Sequence, residues 1–140
     1  PLKTQLEKLI NSLGLQDKVT LSGWCSNLEG KYHNADIQLL PSRFEGFGLI
    51  AVEGMSTGLP IIASDIPGLN EVVSASIDSC FLVKDANNID AWVNQINLCI
   101  KSIGKNLPHI SKESYQHSQK FNLTKMTKSY IDLYKELIKN

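Results

Sequence analysis

Apolar residues recur along this chain in two rhythms that alternate. Leu2, Leu6, Leu9, Ile10 and Leu13 repeat at the spacing of a helix face, and the run stops at Gly14, a residue type that closes helices. Two short apolar runs follow, Val19 to Ser22 and Ile37 to Leu40, each predicting a strand, with Leu28 to Asn34 between them as a short helix or turn. A helix from about Leu49 to Thr57 ends at Gly58, and Pro60 to Ala63 predicts a third strand. Beyond a polar loop with Pro67 and Gly68, Leu69 to Val73 fits a short helix and Cys80 to Val83 a fourth strand. Asp85 to Asn88 has the composition of a helix-starting turn, after which Ala91, Val93, Ile96, Leu98 and Ile100 suit a helix covering one face. The tail carries Phe121, Leu123, Met126, Tyr130, Leu133, Tyr134 and Leu137 in a helical stripe that needs a partner surface.

Short strands alternating with helices imply parallel pairing with helices on both faces. The expected fold is therefore α/β, a doubly wound, Rossmann-like parallel sheet with a helical tail over 110–140. In such folds ligands bind beyond the carboxyl ends of the strands, which puts three loops on one rim: Gly23 to Asn27, Ser42 to Gly48, and Ser64 to Asn70. At 140 residues the chain makes one domain of ordinary size. Fourteen basic and fourteen acidic residues balance, so bulk charge gives no reason to expect nucleic acid as a partner. The basic residues from Lys101 to Lys139 are interspersed with apolar ones and read as solvated helix faces, with contact against an anionic membrane surface as the alternative.

Cys25, Cys80 and Cys99 are widely spaced and form no CxxC pair, which suits reduced thiols in a cytoplasmic protein. His33, His109 and His117 do not pair with them at metal-site spacing, so no metal is expected, and the histidines read as surface residues. No apolar run reaches the roughly 20 residues needed to span a bilayer.

The chemistry concentrates between Pro41 and Pro60, PSRFEGFGLIAVEGMSTGLP. Free N–H groups at a helix start, with the positive end of its dipole, can hold a phosphate, and Gly46 and Gly48 let the backbone come close to it. Glu45 precedes the helix and Glu53 lies about one turn into it, so both are expected to face one pocket. A carboxylate accepts two hydrogen bonds at once, which suits neighbouring hydroxyls of a ribose or hexose. The bland account, two surface carboxylates favoured by the helix dipole beside ordinary turn glycines, is open on these residues alone. Arg43 reads as solvent-exposed rather than a phosphate clamp, and Trp24 as either a base-stacking ring or a cap on the core.

The pair of glutamates with seven residues between them, within PSRFEGFGLIAVEGMSTGLPIIASDIPGLNEVV, resembles the nucleotide-binding half of the retaining glycosyltransferases of family four, which have the GT-B arrangement of two Rossmann-like domains across a cleft. The matching positions are Pro41, Ser42, Glu45 to Gly48, Glu53, Gly58 to Pro60, Gly68 and Glu71. The flanks LEKLINSLGLQDKVTLSGW and KYHNADIQLLPS are similar too, so nearly the whole chain is covered. Asn70 departs from the pattern, at a position where proline is frequent, and implies a looser loop.

The resemblance implies that residues 1–140 form part of a C-terminal donor-binding domain, and that the N-terminal acceptor domain lies outside a chain expected to be a fragment. It implies that Glu53 binds the ribose hydroxyls and that Glu45 orients the transferred sugar and so affects turnover. Backbone amides over Phe47, Gly48, Leu49 and Ile50, beside Gly46, would meet sugar and phosphate, and Trp24 would flank the base. Transfer would proceed from a nucleotide-diphosphate sugar with retained configuration, without a metal or other cofactor. The acceptor would be a saccharide or lipid-linked molecule in polysaccharide or glycolipid assembly, in the cytoplasm or at the inner face of the plasma membrane, with the isolated fragment inactive. A nucleotide-sugar epimerase on the same scaffold and a non-catalytic nucleotide-sugar-binding domain are the rival readings.

Overall fold

The computed structural model describes residues 2–138. Three parallel strands, β1 (Gln38–Leu40), β2 (Ile61–Ser64) and β3 (Cys80–Val83), lie side by side in chain order. Gln38 stands opposite Ile61, and Ile61 in turn opposite Cys80. Six helices surround them: α1 (Leu2–Ser12), α2 (Leu28–His33), α3 (Leu49–Ser56), α4 (Leu69–Val72), α5 (Ile89–Ser118) and, after a 3-10 turn at Gln119–Phe121, α6 (Leu123–Ile138). No helix among the described residues is long and apolar enough to cross a membrane.

β2 is the central strand and is buried throughout, which is why its sequence is continuously apolar up to Ser64. Ile61 and Ala63 join Leu40, Ala51, Met55, Leu69 and Val72 in one core layer under the crossover helices α3 and α4. Ile62 belongs to the opposite layer with Val83 and Cys99, covered by α5. Neither layer would be dry without its helices, so the α/β expectation from the alternating pattern is met on both faces.

α5 serves both layers because it bends. Asn106 leaves helical geometry (φ −160, ψ 71), and Pro108 lies two residues beyond it. Pro108 cannot donate an N–H to the preceding turn, and the Asn106 side chain accepts from His109 N–H at 3.2 Å, capping a second helical segment. That segment reaches the first layer, where the Ser114 hydroxyl donates to the Leu59 carbonyl and His117 Nε2 lies 2.7 Å from the Val72 carbonyl oxygen. A carbonyl only accepts, so Nε2 carries the proton, and the buried Nδ1 has no partner among the described residues.

Three expectations are corrected. Val19 to Ser22 is not a strand: Val19 N–H turns back to the Leu15 carbonyl at 3.0 Å, and no ladder to β1 forms among the described residues. An apolar run becomes a strand only where a neighbour pairs with it. On α5 Ala91 and Ile96 face the core as expected, joined by Trp92, Cys99 and Ile103, while Val93, Leu98 and Ile100 are exposed. His33 and His109 are at the surface as read, but His117 is buried, held by its bond to α4. The tail stripe is exposed along α6, with Phe121 as the member that packs inward; Lys139 and Asn140 lie outside the described residues.

Candidate functional site

The loops after β1 and β2 meet through their backbones. Gly68 has φ 87, and a Cβ there would sit 2.5 Å from the Glu45 carbonyl oxygen. Gly48, the N-cap of α3, is left-handed (φ 87, ψ 36), with room for a Cβ only 3.0 Å from Leu69 Cδ2. Both positions need glycine for conformation and for space. Gly46 differs, since a Cβ there would meet nothing within 4 Å. Its small size is not required by the protein's own packing.

Beyond Gly48 the chain enters α3 with unpaired donors. The N–H groups of Phe47, Gly48, Leu49 and Ile50 have no hydrogen-bond partner among the described residues, while Ala51 N–H already bonds to the Gly48 carbonyl at 2.9 Å. Four free donors at the positive end of a helix make an anion cradle. The Phe47 ring is held edge-on against Phe121 with centroids 5.9 Å apart, and Phe121 packs in the same way on His117 at 5.4 Å. The glycine-rich loop is thereby braced from the tail and, through His117, from α4.

The two carboxylates flank this cradle but open into different concavities. Glu45 is half-buried, accepts from Gly46 N–H at 3.1 Å, and lines a hollow of about 460 Å³ with Arg43, Phe44, Gly46, Ile66 and Pro67. Glu53 is exposed, accepts from the Tyr32 hydroxyl at 3.2 Å, and lines a groove of about 520 Å³ with Ser26, Asn27, Tyr32 and His33. The single shared pocket expected from the spacing is thus two hollows, because Glu45 lies on the loop turned toward Ile66 and Pro67 while Glu53 lies on the α3 flank toward α2.

Trp24 is 89% exposed and does not cap the core; its loop reaches the Glu53 groove through Ser26 and Asn27. Leu49 and Ile50 expose their side chains as well, so what they present at the cradle is backbone. Arg43 is exposed. The loop at Asn70 is tied rather than loose, since its side-chain amide donates to Asp65 Oδ1 at 3.0 Å and its backbone N–H to the Ile66 carbonyl at 3.0 Å.

Sequence reading missed Tyr32 and Gln38. Tyr32 packs its ring on the core and sends its hydroxyl to Glu53; burial first, then the Glu53 charge and hydrogen bond, raise its pKa above the ordinary 10.0, with the Gln38 side chain acting in the opposite sense. Gln38 sends Nε2 to the Ile50 carbonyl at 3.1 Å, bracing α3 one turn ahead of Glu53. The polar Gln38 inside the apolar strand DIQLL was the available signal.

Among the described residues, one group of side chains could hold a metal ion: ligand atoms of Asp78, His109 and Glu113 lie within 4.8 Å of one another. His109 Nε2 and Asp78 Oδ2 are 3.5 Å apart at the solvent-exposed surface, and Glu113 is engaged by the Ser79 N–H at 3.0 Å. Asp78 precedes β3, so the group sits at the amino end of the sheet, opposite the rim that carries Glu45 and Glu53.

Comparison with known proteins places these features in context. The model of the family described as glycosyl transferases group 1 matches residues 1–117. The lipopolysaccharide core biosynthesis mannosyltransferase LpsB of Rhizobium meliloti is 30% identical over 66% of this chain and 26% of its own length. The Escherichia coli protein named UDP-Gal:alpha-D-GlcNAc-diphosphoundecaprenol alpha-1,3-galactosyltransferase is 29% identical over 91% of this chain and 32% of its own length. Among solved structures, a glycosyltransferase from Rickettsia africae ESF-5 superposes with a TM-score of 0.86 at 29% identity, covering 99% of this chain and 37% of that one. The chain therefore spans about a third or less of the curated relatives, and its fold is the one found in half of a GT-B enzyme.

Proposed function

We propose that this chain, which belongs to the group 1 glycosyl transferases, supplies the donor-binding half of an enzyme that transfers a sugar from a nucleotide-diphosphate sugar to an acceptor with retained anomeric configuration. The observation that carries this reading is the start of α3, where four backbone N–H groups have no partner among the described residues, with Glu45 in a hollow just before them and Glu53 in a groove on the flank of the same helix. That plan suits an extended ligand with an anionic centre and a hydroxylated group at each end.

In this reading the diphosphate lies over Phe47 to Ile50, the ribose reaches Glu53, and the transferred sugar reaches Glu45. The open space at Gly46 is where a ligand would pass, and Trp24 flanks the base. A sugar diphosphate departs readily when its developing negative charge is stabilised, which is the work of oriented N–H groups and cations. Glu45 and Glu53 open into separate hollows, which argues against the acid and nucleophile of a glycosidase facing one scissile bond. Glu45 then acts by orienting the sugar, so its loss lowers turnover more than it lowers nucleotide affinity.

We place the full enzyme in polysaccharide or glycolipid assembly, where the named relatives work, with a saccharide or lipid-linked acceptor held by a second domain. A cytoplasmic setting, at the inner membrane face when the acceptor is a lipid, suits three unpaired thiols. No metal enters this scheme, so added EDTA is expected to leave donor binding unchanged. The chain alone binds nucleotide without transferring sugar.

The deciding experiment is a calorimetric titration of the chain with UDP, GDP and ADP, with Glu53→Ala as control. Saturable binding of one nucleotide, lost in the variant, supports the reading and names the base. Equal binding by Glu53→Ala would remove the donor site from this position.

A further inference from the structure

We propose that Tyr32 is a positioning residue for donor binding: from α2 it holds the Glu53 carboxylate in the orientation that receives the nucleotide's ribose. The inference rests on the reading of Glu53 as a donor ligand.

Glu53 is solvent-exposed on α3. A free glutamate there would sample several rotamers, and binding would have to select one. Tyr32 removes that freedom from one side. Its ring packs against the buried layer under α3, so the hydroxyl is presented from an anchored base, and it donates to Glu53 Oε2 at 3.2 Å across 21 residues of sequence. One lone pair of the carboxylate is thereby used, and the rest of its accepting capacity is left for a pair of hydroxyls.

The backbone under Glu53 is set by a second contact. Gln38 on β1 donates from Nε2 to the Ile50 carbonyl at 3.1 Å, and the absence of a side chain at Gly54 makes room for its amide, since a Cβ there would overlap Gln38 Oε1. Sheet, α2 and α3 thus converge on one carboxylate at its groove. The other titratable groups of that groove, His33 and Glu29, pair with each other at 3.8 Å and leave the Tyr32 hydroxyl to Glu53.

Two measurements test this. Tyr32→Phe keeps the ring and deletes the hydroxyl, so its melting temperature should stay near that of the parent chain while UDP affinity falls by about fivefold to tenfold, the worth of one hydrogen bond. Glu53→Gln should weaken UDP at least as much, and the double variant should be no weaker than Glu53→Gln alone, because both changes remove one coupled unit. Independently of any ligand, the Tyr32 phenol followed by NMR should titrate above the ordinary range in the parent and move back toward it in Glu53→Gln.

If the parent binds UDP and Glu53→Gln does not, but Tyr32→Phe binds as the parent does, the positioning role is overturned and the donor site stands. Additive losses in the double variant overturn it in the same way. If the phenol titration responds to Glu53 but the parent binds no nucleotide at all, the hydrogen bond is real and the donor reading falls, taking the positioning role with it.

Discussion

A single methyl group separates the glycines that the fold needs from one that only a ligand would need. Gly68→Ala would force a Cβ against the Glu45 carbonyl at a positive φ, so it should cost about 2–4 kcal/mol in urea unfolding and loosen the loop that carries Glu45. Gly46→Ala meets open space, and its stability should stay within about 0.5 kcal/mol of the parent. If a diphosphate or sugar passes there, its UDP-sugar affinity should nevertheless fall; unchanged affinity would make Gly46 an ordinary turn residue. The thiols make a second residue-scale test. Cys80 and Cys99 are pushed up to about 11 from 9.0 by burial, so the unfolded chain releases these protons first. Their contribution is complete below pH 9 and lost as the pH climbs to about 11. Thermal unfolding should show this slope, and Cys80→Ala with Cys99→Ala should flatten it. A slope that the double variant does not alter would assign the loss to other groups. Cys25, only half-buried, should react with a thiol reagent in the folded state while the other two wait for unfolding.

At the scale of elements, the sequence was most legible where local signals and burial agree. β3 coincides with the apolar run Cys80 to Val83, and α3 runs between Gly48 and Gly58, whose left-handed backbones end it at both sides. Legibility failed where a partner decides. Val19 to Ser22 has the composition of a strand but pairs with no neighbour among the described residues, and the buried face of α5 follows Ala91, Trp92, Ile96, Cys99 and Ile103, a phase that leaves Val93, Leu98 and Ile100 outside. The candidate site shows the same division. Glycines, glutamates and the helix start could be read from the residues, whereas Tyr32 and Gln38 touch α3 across distances in sequence that no local pattern encodes. His117 was unreadable for the same reason, since its role depends on the bend at Asn106 that delivers it to Val72. Its replacement tests that delivery. His117→Ala removes the bond to the Val72 carbonyl and the ring that braces Phe121, and should cost about 2–4 kcal/mol. A loss of under about 0.5 kcal/mol would show that the second half of α5 is held by other contacts.

On the scale of the whole molecule, the core is complete around the sheet and incomplete at both helical ends. Leu2, Leu6 and Leu9 on α1 and Leu13 just beyond it are exposed, and so are Leu123, Met126, Tyr130, Leu133, Tyr134 and Leu137 on α6; among the described residues neither helix has a buried one. Apolar helix faces of this extent favour association, and a net charge of zero supplies no repulsion to oppose it. The chain by itself should therefore show concentration-dependent self-association in sedimentation velocity. Leu133→Lys with Leu137→Lys, placed on the exposed stripe and remote from the glycine-rich loop, should shift it toward monomer while leaving UDP affinity as it was. If the charged variant associates as strongly as the parent, α6 is not the surface involved and α1 is the next to test. If the parent stays monomeric at every concentration, the stripe is not sticky enough to act alone, and its apolar character would have to be explained by a partner surface other than a second copy of this chain.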